Sequence, residues 1–213
     1  MEEKRPGMHV PIHEDEGGTF IFNSKDLCMI RHIPELIESG ITSFKIEGRI
    51  KSEYYVAAVT KAYREAIDAY YDGRPFEDRW EREVEKVSHR EYETGFYFGK
   101  RSNEIYGYGS YIRDYDMIGL VRGLKEDKLI ISQRNRFFKG DEIEVLPPSG
   151  SPFTFIVAYM ENEDGEEIDV APHPEMYVSI RLPKEVLQSG EIPTDSILRK
   201  KNVKQFGKNE KRQ

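Results

Sequence analysis

The sequence predicts an α/β segment followed by a small all-β domain. Residues 19–88 alternate short, β-rich apolar runs with longer stretches of helical spacing. Residues 117–198 change to a period of two, cut by Gly and Pro turns. Between them lies a stretch dense in Gly, Tyr and Phe. A hydrophobic period that changes from 3.6 to 2 along one chain marks a change of architecture.

The first element is Thr19-Phe20-Ile21-Phe22, a short apolar run after Gly17-Gly18 that reads as a buried strand. Ser24 then offers an N-cap. Leu27, Ile30, Ile33 and Ile37 recur at helical spacing, with Pro34 as a kink and Gly40 as the stop. A second strand is predicted over 41–46, closing on Glu47-Gly48-Arg49. Ser52 caps a long helix whose apolar stripe is Tyr55, Val56, Val59, Ala62, Tyr63, Ala66, Ile67 and Tyr70, ended by Asp72-Gly73. Strand–helix–strand–helix at this spacing reads as a βαβα unit with parallel strands. A third helix is predicted over 76–88, with Phe76, Trp80, Val84 and Val87 inward.

Strands are predicted over 117–124, 128–133, 141–146, 153–159, 167–170, 176–181 and 196–198, separated by turns such as Glu126-Asp127 and Asp164-Gly165. Many short strands with Gly/Pro turns indicate a small β-barrel or sandwich. The organisation is therefore an α/β end (1–92), a Gly/aromatic linker (93–115), a small β-barrel (116–200) and a basic tail (201–213). The charged stretch from Glu2 to Glu16 leads straight into a strand. This suggests that further strands of a complete α/β enzyme precede it.

The 213 residues carry 33% charged side chains and a net charge of −7. That balance excludes a uniformly basic nucleic-acid coat but not a local basic patch. No apolar run approaches a membrane span, and the first residues lack the apolar core of a signal peptide. One cysteine excludes an internal disulfide. A cytoplasmic protein is expected.

In parallel α/β sheets, ligands bind beyond the carboxyl ends of the strands. Two such ends are expected on one face: Asn23-Ser24-Lys25 and Glu47-Gly48-Arg49 with Lys51. Glu47 suits acid/base work, Arg49 offers a fork for carboxylate or phosphate, and Lys51 is a point charge nearby. Gly48 would let a ligand approach the backbone. Equally, Glu47 and Arg49 could pair with each other or cap the next helix. Asp26 reads as a helix cap. Cys28 reads as a buried small hydrophobe, or as one partner of His32 at i, i+4 on a helix. His89 reads as structural. In the β-domain, Arg134, Arg136, Phe137, Phe138 and Lys139 mix cations with aromatics in one loop, which reads either as an RNA-binding surface or as a solvated loop. Arg199, Lys200, Lys201 and Lys204 read as a solvated basic end.

The motifs resemble peptidase family U32, the collagenase-like peptidases. They are Phe22-Asn23-Ser24-Lys25-Asp26-Leu27-Cys28, Ile33-Pro34-Glu35-Leu36-Ile37, Phe44 through Ser52, Tyr63 through Asp68, and Ser88 through Gly99. The resemblance implies the last βα units of an incomplete, TIM-like α/β barrel, followed by the C-terminal β-barrel. It implies that Cys28 is a ligand of an iron–sulfur cluster in the intact protein, with no cluster in this segment alone. It implies either peptidase activity or hydroxylation of tRNA, including prephenate-dependent formation of 5-hydroxyuridine at the wobble position. On that reading Glu47, Arg49 and Lys51 are catalytic. Asn23, Ser24, Lys25, Arg134, Arg136 and Phe137 bind substrate, and Arg49 and Lys51 suit the two carboxylates of prephenate. A partner subunit of the same family is a further expectation. This segment is expected to be inactive alone, and a purely binding or structural module is the third reading.

Overall fold

The structure, a computed structural model, describes residues 13–15, 18–20, 25–99, 111–188, 190 and 192–202. Strands β1 (His13–Asp15) and β2 (Gly18–Phe20) form an antiparallel pair, His13 opposite Phe20. Of the strand predicted over 19–22, the described residues Thr19 and Phe20 pair antiparallel with β1 rather than in a parallel sheet. Residues 21–24, including the Ser24 cap, lie outside the described residues.

Strand β3 (Asp26–Leu27) stands where a helix was predicted, and a 3₁₀ turn over Ile30–His32 leads into helix α1 (Ile33–Glu38). Pro34 accounts for the difference. It lacks an N–H and would clash with the carbonyl four residues earlier, so it sits in the first turn and starts the helix rather than kinking it. Residues 41–48 form no strand, and Ile41 and Ile46 are exposed. An apolar run becomes a strand only with a neighbour for its N–H and C=O groups. Among the described residues there is none. Among the described residues, 41–46 therefore do not supply the second strand of the expected βαβα unit.

Helix α2 (Glu53–Tyr71) follows the sequence closely. Ser52 has extended backbone angles, and its Oγ accepts the Tyr55 N–H at 3.3 Å. The buried stripe is Tyr54, Ala58, Val59, Ala62, Ala66 and Ala69, rotated slightly from the predicted one, with Val56 exposed. Alanines at three- and four-residue spacing let neighbouring elements approach closely. Helix α3 (Asp78–Glu85) buries Trp80, Glu83 and Val84, and Trp80 Nε1 donates to Glu65 at 2.9 Å. Strand β4 (Tyr92–Glu93) pairs in parallel with β3, Asp26 opposite Tyr92. His89 is buried. It shares a bridge with Ile112, and its ring lies 4.1 Å from that of Tyr92.

The β-domain comprises β5 (Tyr115–Lys125), β6 (Lys128–Gln133), β7 (Phe137–Phe138), β8 (Glu142–Leu146), β9 (Phe153–Ile156), β10 (Met160–Glu161), β11 (Val170–Ala171), β12 (Tyr177–Arg181), helix α4 (Lys184–Gln188) and β13 (Ile197–Lys201). Seven strands form one antiparallel sheet in the order β10-β12-β6-β5-β13-β8-β9, and β7 pairs with β11. The sheet curls into a half-barrel whose end strands do not pair, so the expected barrel stays open. Bulges between Val121 and Gly123 and between Leu198 and Arg199 support the curl. A side chain at Gly119 would meet the Ser132 carbonyl at 2.9 Å, so only glycine fits that crossing. Among the described residues, no helix is long and apolar enough to cross a membrane.

Alternation along the strands divides the sheet between two cores. Ile118, Val121, Val145 and Leu198 point into the core of the β-domain. Met117, Leu146 and Ile197 point the other way, into a core shared with Tyr54, Ala58, Ala62, Trp80 and Val84. At this seam Arg199 is fully buried. Its guanidinium bonds both Glu83 oxygens, one at 2.7 Å, and also Glu144, with Nε to Oε1 at 2.8 Å. It donates to Tyr54 Oη at 3.2 Å, and Lys86 holds Glu144 from the helical side at 2.8 and 3.0 Å. Burial alone would push the Glu144 carboxyl up, but Arg199 and Lys86 overcome it and hold it below the ordinary range.

Replacing Arg199 leaves two buried carboxylates, Glu83 and Glu144, with only Lys86 to offset them. Arg199→Met is expected to cost about 3–5 kcal/mol in denaturant unfolding, and a loss under about 1 kcal/mol would contradict this account. Because the native Glu144 pKa lies below its unfolded value, its contribution is complete above the ordinary carboxylate range. It is lost as pH falls through the native value. Glu144→Gln should therefore flatten the acid limb of stability against pH, and an unaltered limb would count against it.

Candidate functional site

A cleft of about 670 Å³ opens between residues 41–51, the start of α2 and strands β3 and β4. Its floor combines Tyr55, Tyr63 and Tyr92, and its rim carries Glu47, Arg49 and Lys51. Glu47 is exposed, and its carboxylate accepts the Arg49 backbone N–H at 2.8 Å, tightening its own turn. The two side chains form no ion pair, so the Arg49 guanidinium stays on the rim. Gly48 has a packing role: a Cβ there would lie 3.0 Å from Val56 Cγ2, so it lets the 41–51 segment lie on α2.

Lys51 is the better held of the two rim cations. Its ammonium lies 5.0 Å from the centre of the Tyr55 ring and 4.7 Å from that of Tyr111. Asp26 Oδ2 is 3.8 Å away. Asp26 is not a helix cap. It sits on β3, and its Oδ2 accepts the Arg90 N–H at 3.1 Å. Lys25 pairs with Glu91 at 3.5 Å. Asn23 and Ser24, on which the expected rim of two strand ends rests, fall outside the described residues.

Cys28 lies ahead of the helix, so the i, i+4 pairing with His32 is not built. His32 instead contacts Glu35 at 3.1 Å. The Cys28 thiol is half-buried, 3.7 Å from Tyr63 Oη, and burial raises its pKa. A protonated thiol without a base is a poor nucleophile and a poor metal ligand. An iron–sulfur cluster draws on several thiolates. This chain has one cysteine, and no three His, Cys, Asp or Glu side chains converge among the described residues. The residues present do not by themselves hold a cluster.

A second hollow, of about 510 Å³, runs along the seam between the start of α2 and the sheet. Arg134 lines it and reaches Glu53 at 3.2 Å. Arg113, Tyr111 and Tyr115 also line it. Sequence reasoning missed these three, because the stretch before β5 reads as a linker; the alternation of Tyr111, Arg113 and Tyr115 was the available signal. The predicted Arg/Phe loop does not act as one surface. Arg136 is exposed, but Phe137 is fully buried in β7, opposite Ala171, and cannot meet a ligand.

Taken together, this is a helical layer with a tyrosine- and cation-lined cleft, seated on a curled antiparallel sheet. The Peptidase family U32 model matches residues 1–106, and the Peptidase family U32 C-terminal domain model matches residues 113–193. The chain belongs to peptidase family U32. It is 39% identical over 187 residues to tRNA hydroxylation protein P1 of Bacillus subtilis (strain 168), covering 84% of this chain and 44% of that protein. Against tRNA hydroxylation protein P of Escherichia coli (strain K12) it is 36% identical, over 87% of this chain and 42% of that protein. A collagenase of Porphyromonas gingivalis (strain ATCC BAA-308 / W83) is 34% identical over 52% of this chain and 27% of its own length. The crystallised C-terminal domain of a U32-family protein from Geobacillus thermoleovorans covers 40% of this chain and 91% of its own, at 28% identity and a TM-score of 0.34. The chain spans less than half the length of these curated relatives.

The raised Cys28 pKa carries an expected outcome. Alkylation of the thiol should lag behind free cysteine at neutral pH and rise only at a higher pH. A rate profile matching free cysteine would contradict the burial described.

Proposed function

We propose that this chain is the C-terminal portion of a tRNA-hydroxylating U32 protein, with the cleft holding a small acidic co-substrate and the seam side facing RNA. One observation carries the reading. The whole chain has a net charge of −7, yet the two hollows present six cations, Lys45, Arg49, Lys51, Arg90, Arg113 and Arg134, against three carboxylates, Asp26, Glu47 and Glu53. Tyrosines stand among them. Local cations with aromatic faces suit phosphates and unstacked bases. The relatives matched across both the helical and β regions are those named for tRNA hydroxylation.

In this reading residues 25–92 take the place of the last βα units of a longer, incomplete α/β barrel. Arg49 and Lys51 receive the carboxylates of prephenate, Arg49 by its planar fork and Lys51 as a point charge. Glu47 fixes the turn that presents Arg49. In the intact protein Cys28, once deprotonated, would be one ligand of an iron–sulfur cluster. The protein works in the cytoplasm, with tRNA and, in some settings, a second subunit of the family. A peptidase reading has the name of the Porphyromonas relative in its favour. It needs a nucleophile and base that the described residues do not assemble.

Deleting the gene should remove 5-hydroxyuridine from tRNA, and complementation with Arg49→Ala should restore about a tenth of it or less. Unchanged nucleoside content in the deletion strain would end the hydroxylation reading. Full restoration by Arg49→Ala would remove Arg49 from the site.

A further inference from the structure

We infer that the seam hollow is a track for single-stranded RNA leading into the cleft; this rests on the RNA reading above and deepens it. The two hollows adjoin, since both are lined by Ile50, Lys51, Tyr55 and Tyr111. From the cleft, the track passes Lys51 and Tyr111 and reaches Arg113, Tyr115 and Arg134 at the sheet. It therefore joins the helical layer to the β-domain on one surface.

Its chemistry is that of a nucleotide site at Tyr111 followed by cations along a line. Tyr111 is 43% exposed, so its ring is within reach of a base. The Lys51 ammonium lies 4.7 Å from the centre of that ring, and the Arg90 guanidinium 5.3 Å. Tyr115 lines the same hollow further along, beside Arg113 and Arg134. A cation held beside an aromatic ring offers the two contacts a nucleotide needs: a surface for the base and a charge for the phosphate. Arg113 pairs with Asp116 at 2.6 Å and Arg134 with Glu53 at 3.2 Å. Both Arg113 and Glu53 are more than half exposed at the side chain, and such pairs exchange readily for phosphate. Counting Asp116, the lining remains six cations to four carboxylates.

The track selects single strands because a duplex keeps its bases stacked inside and cannot lay them on recessed tyrosines. The rival surface, the turn around Phe138, is electrically balanced. Lys139 is held by Glu167 at 2.5 Å and by Asp169 at 3.8 Å, and Lys200 by Asp141 at 2.6 Å. With Arg136, that surface sets three cations against three carboxylates.

The test is fluorescence anisotropy of the full 213-residue chain with a labelled uridine-rich RNA of about 12 nucleotides, single-stranded and as a duplex, between about 50 and 200 mM salt. The single strand should bind at least tenfold tighter. Tyr111→Ala should weaken it about tenfold while Tyr111→Phe stays within about twofold, because the ring and not the hydroxyl carries the contact. Arg113→Ala, at an exposed position where folding is not at stake, should weaken binding and reduce the salt slope by about 0.7. Wild-type affinity in both Tyr111→Ala and Arg113→Ala, with loss in Arg136→Ala or Lys139→Ala, overturns the track and leaves the RNA reading standing. Absence of RNA binding by the unaltered chain overturns both, and equal affinity for duplex overturns the single-strand selection.

Discussion

The Arg199 guanidinium, buried between a helix and a sheet, is the constraint on which the rest of this molecule depends. Removing a cation from water costs several kcal/mol, and only close, well-directed carboxylates offset it. Glu83 arrives from α3 and Glu144 from β8, with Tyr54 from α2 completing the set. None of these groups is satisfied unless the helical layer sits on the sheet in one position. The apolar contacts around them, Met117, Leu146 and Ile197 against the alanines of α2, supply most of the burial but are less particular about register. The ion cluster fixes that register, and with it the seam that the hollows follow.

The functional surface inherits this geometry. Tyr54, one residue past the start of α2, touches Arg199, and Glu53 beside it meets Arg134. Lys51, two residues earlier, stands between the rings of Tyr55 and Tyr111. Residues 50–55 at one helix N-terminus thus anchor the seam, and three of them, Ile50, Lys51 and Tyr55, line both hollows. A shift of α2 on the sheet would separate Arg134 from Lys51. The cationic track is therefore a property of the joined layers and not of either alone.

Much of this was legible in the residues. Ser52, the apolar run after it and Asp72-Gly73 define α2 because local capping and periodicity suffice for a long helix. Strand β6 is read to the residue, since Lys128–Gln133 alternates between turn signals. Residues 41–46 mislead because β-propensity describes a fit to a sheet, and no strand among the described residues lies beside them to make one. Phe137 misleads because a two-residue strand gives no periodic signal. Arg199 was read with the basic end of the chain, although β13 alternation continues through it. The clue was Glu83, a lone carboxylate on the inward face with Trp80, Val84 and Val87, which needs a buried cation. Of the site, Glu47, Arg49 and Lys51 were visible as a motif, but the Tyr111–Arg113–Tyr115 wall was not. Its role comes from α2 lying across it, a contact between residues about 60 apart in the chain.

The central claim, that the helical layer and the sheet are one unit joined by the Arg199 cluster, is most directly tested by unfolding followed with two probes. Trp80 is the chain's single tryptophan and is buried in the shared core, so its fluorescence reports the helical layer. Far-ultraviolet circular dichroism near the β-sheet band reports the strands. The account predicts coincident transitions in denaturant, with one midpoint and one slope. Loss of the Trp80 signal at a clearly lower denaturant concentration than the sheet signal would show that the two layers come apart independently, and would contradict it.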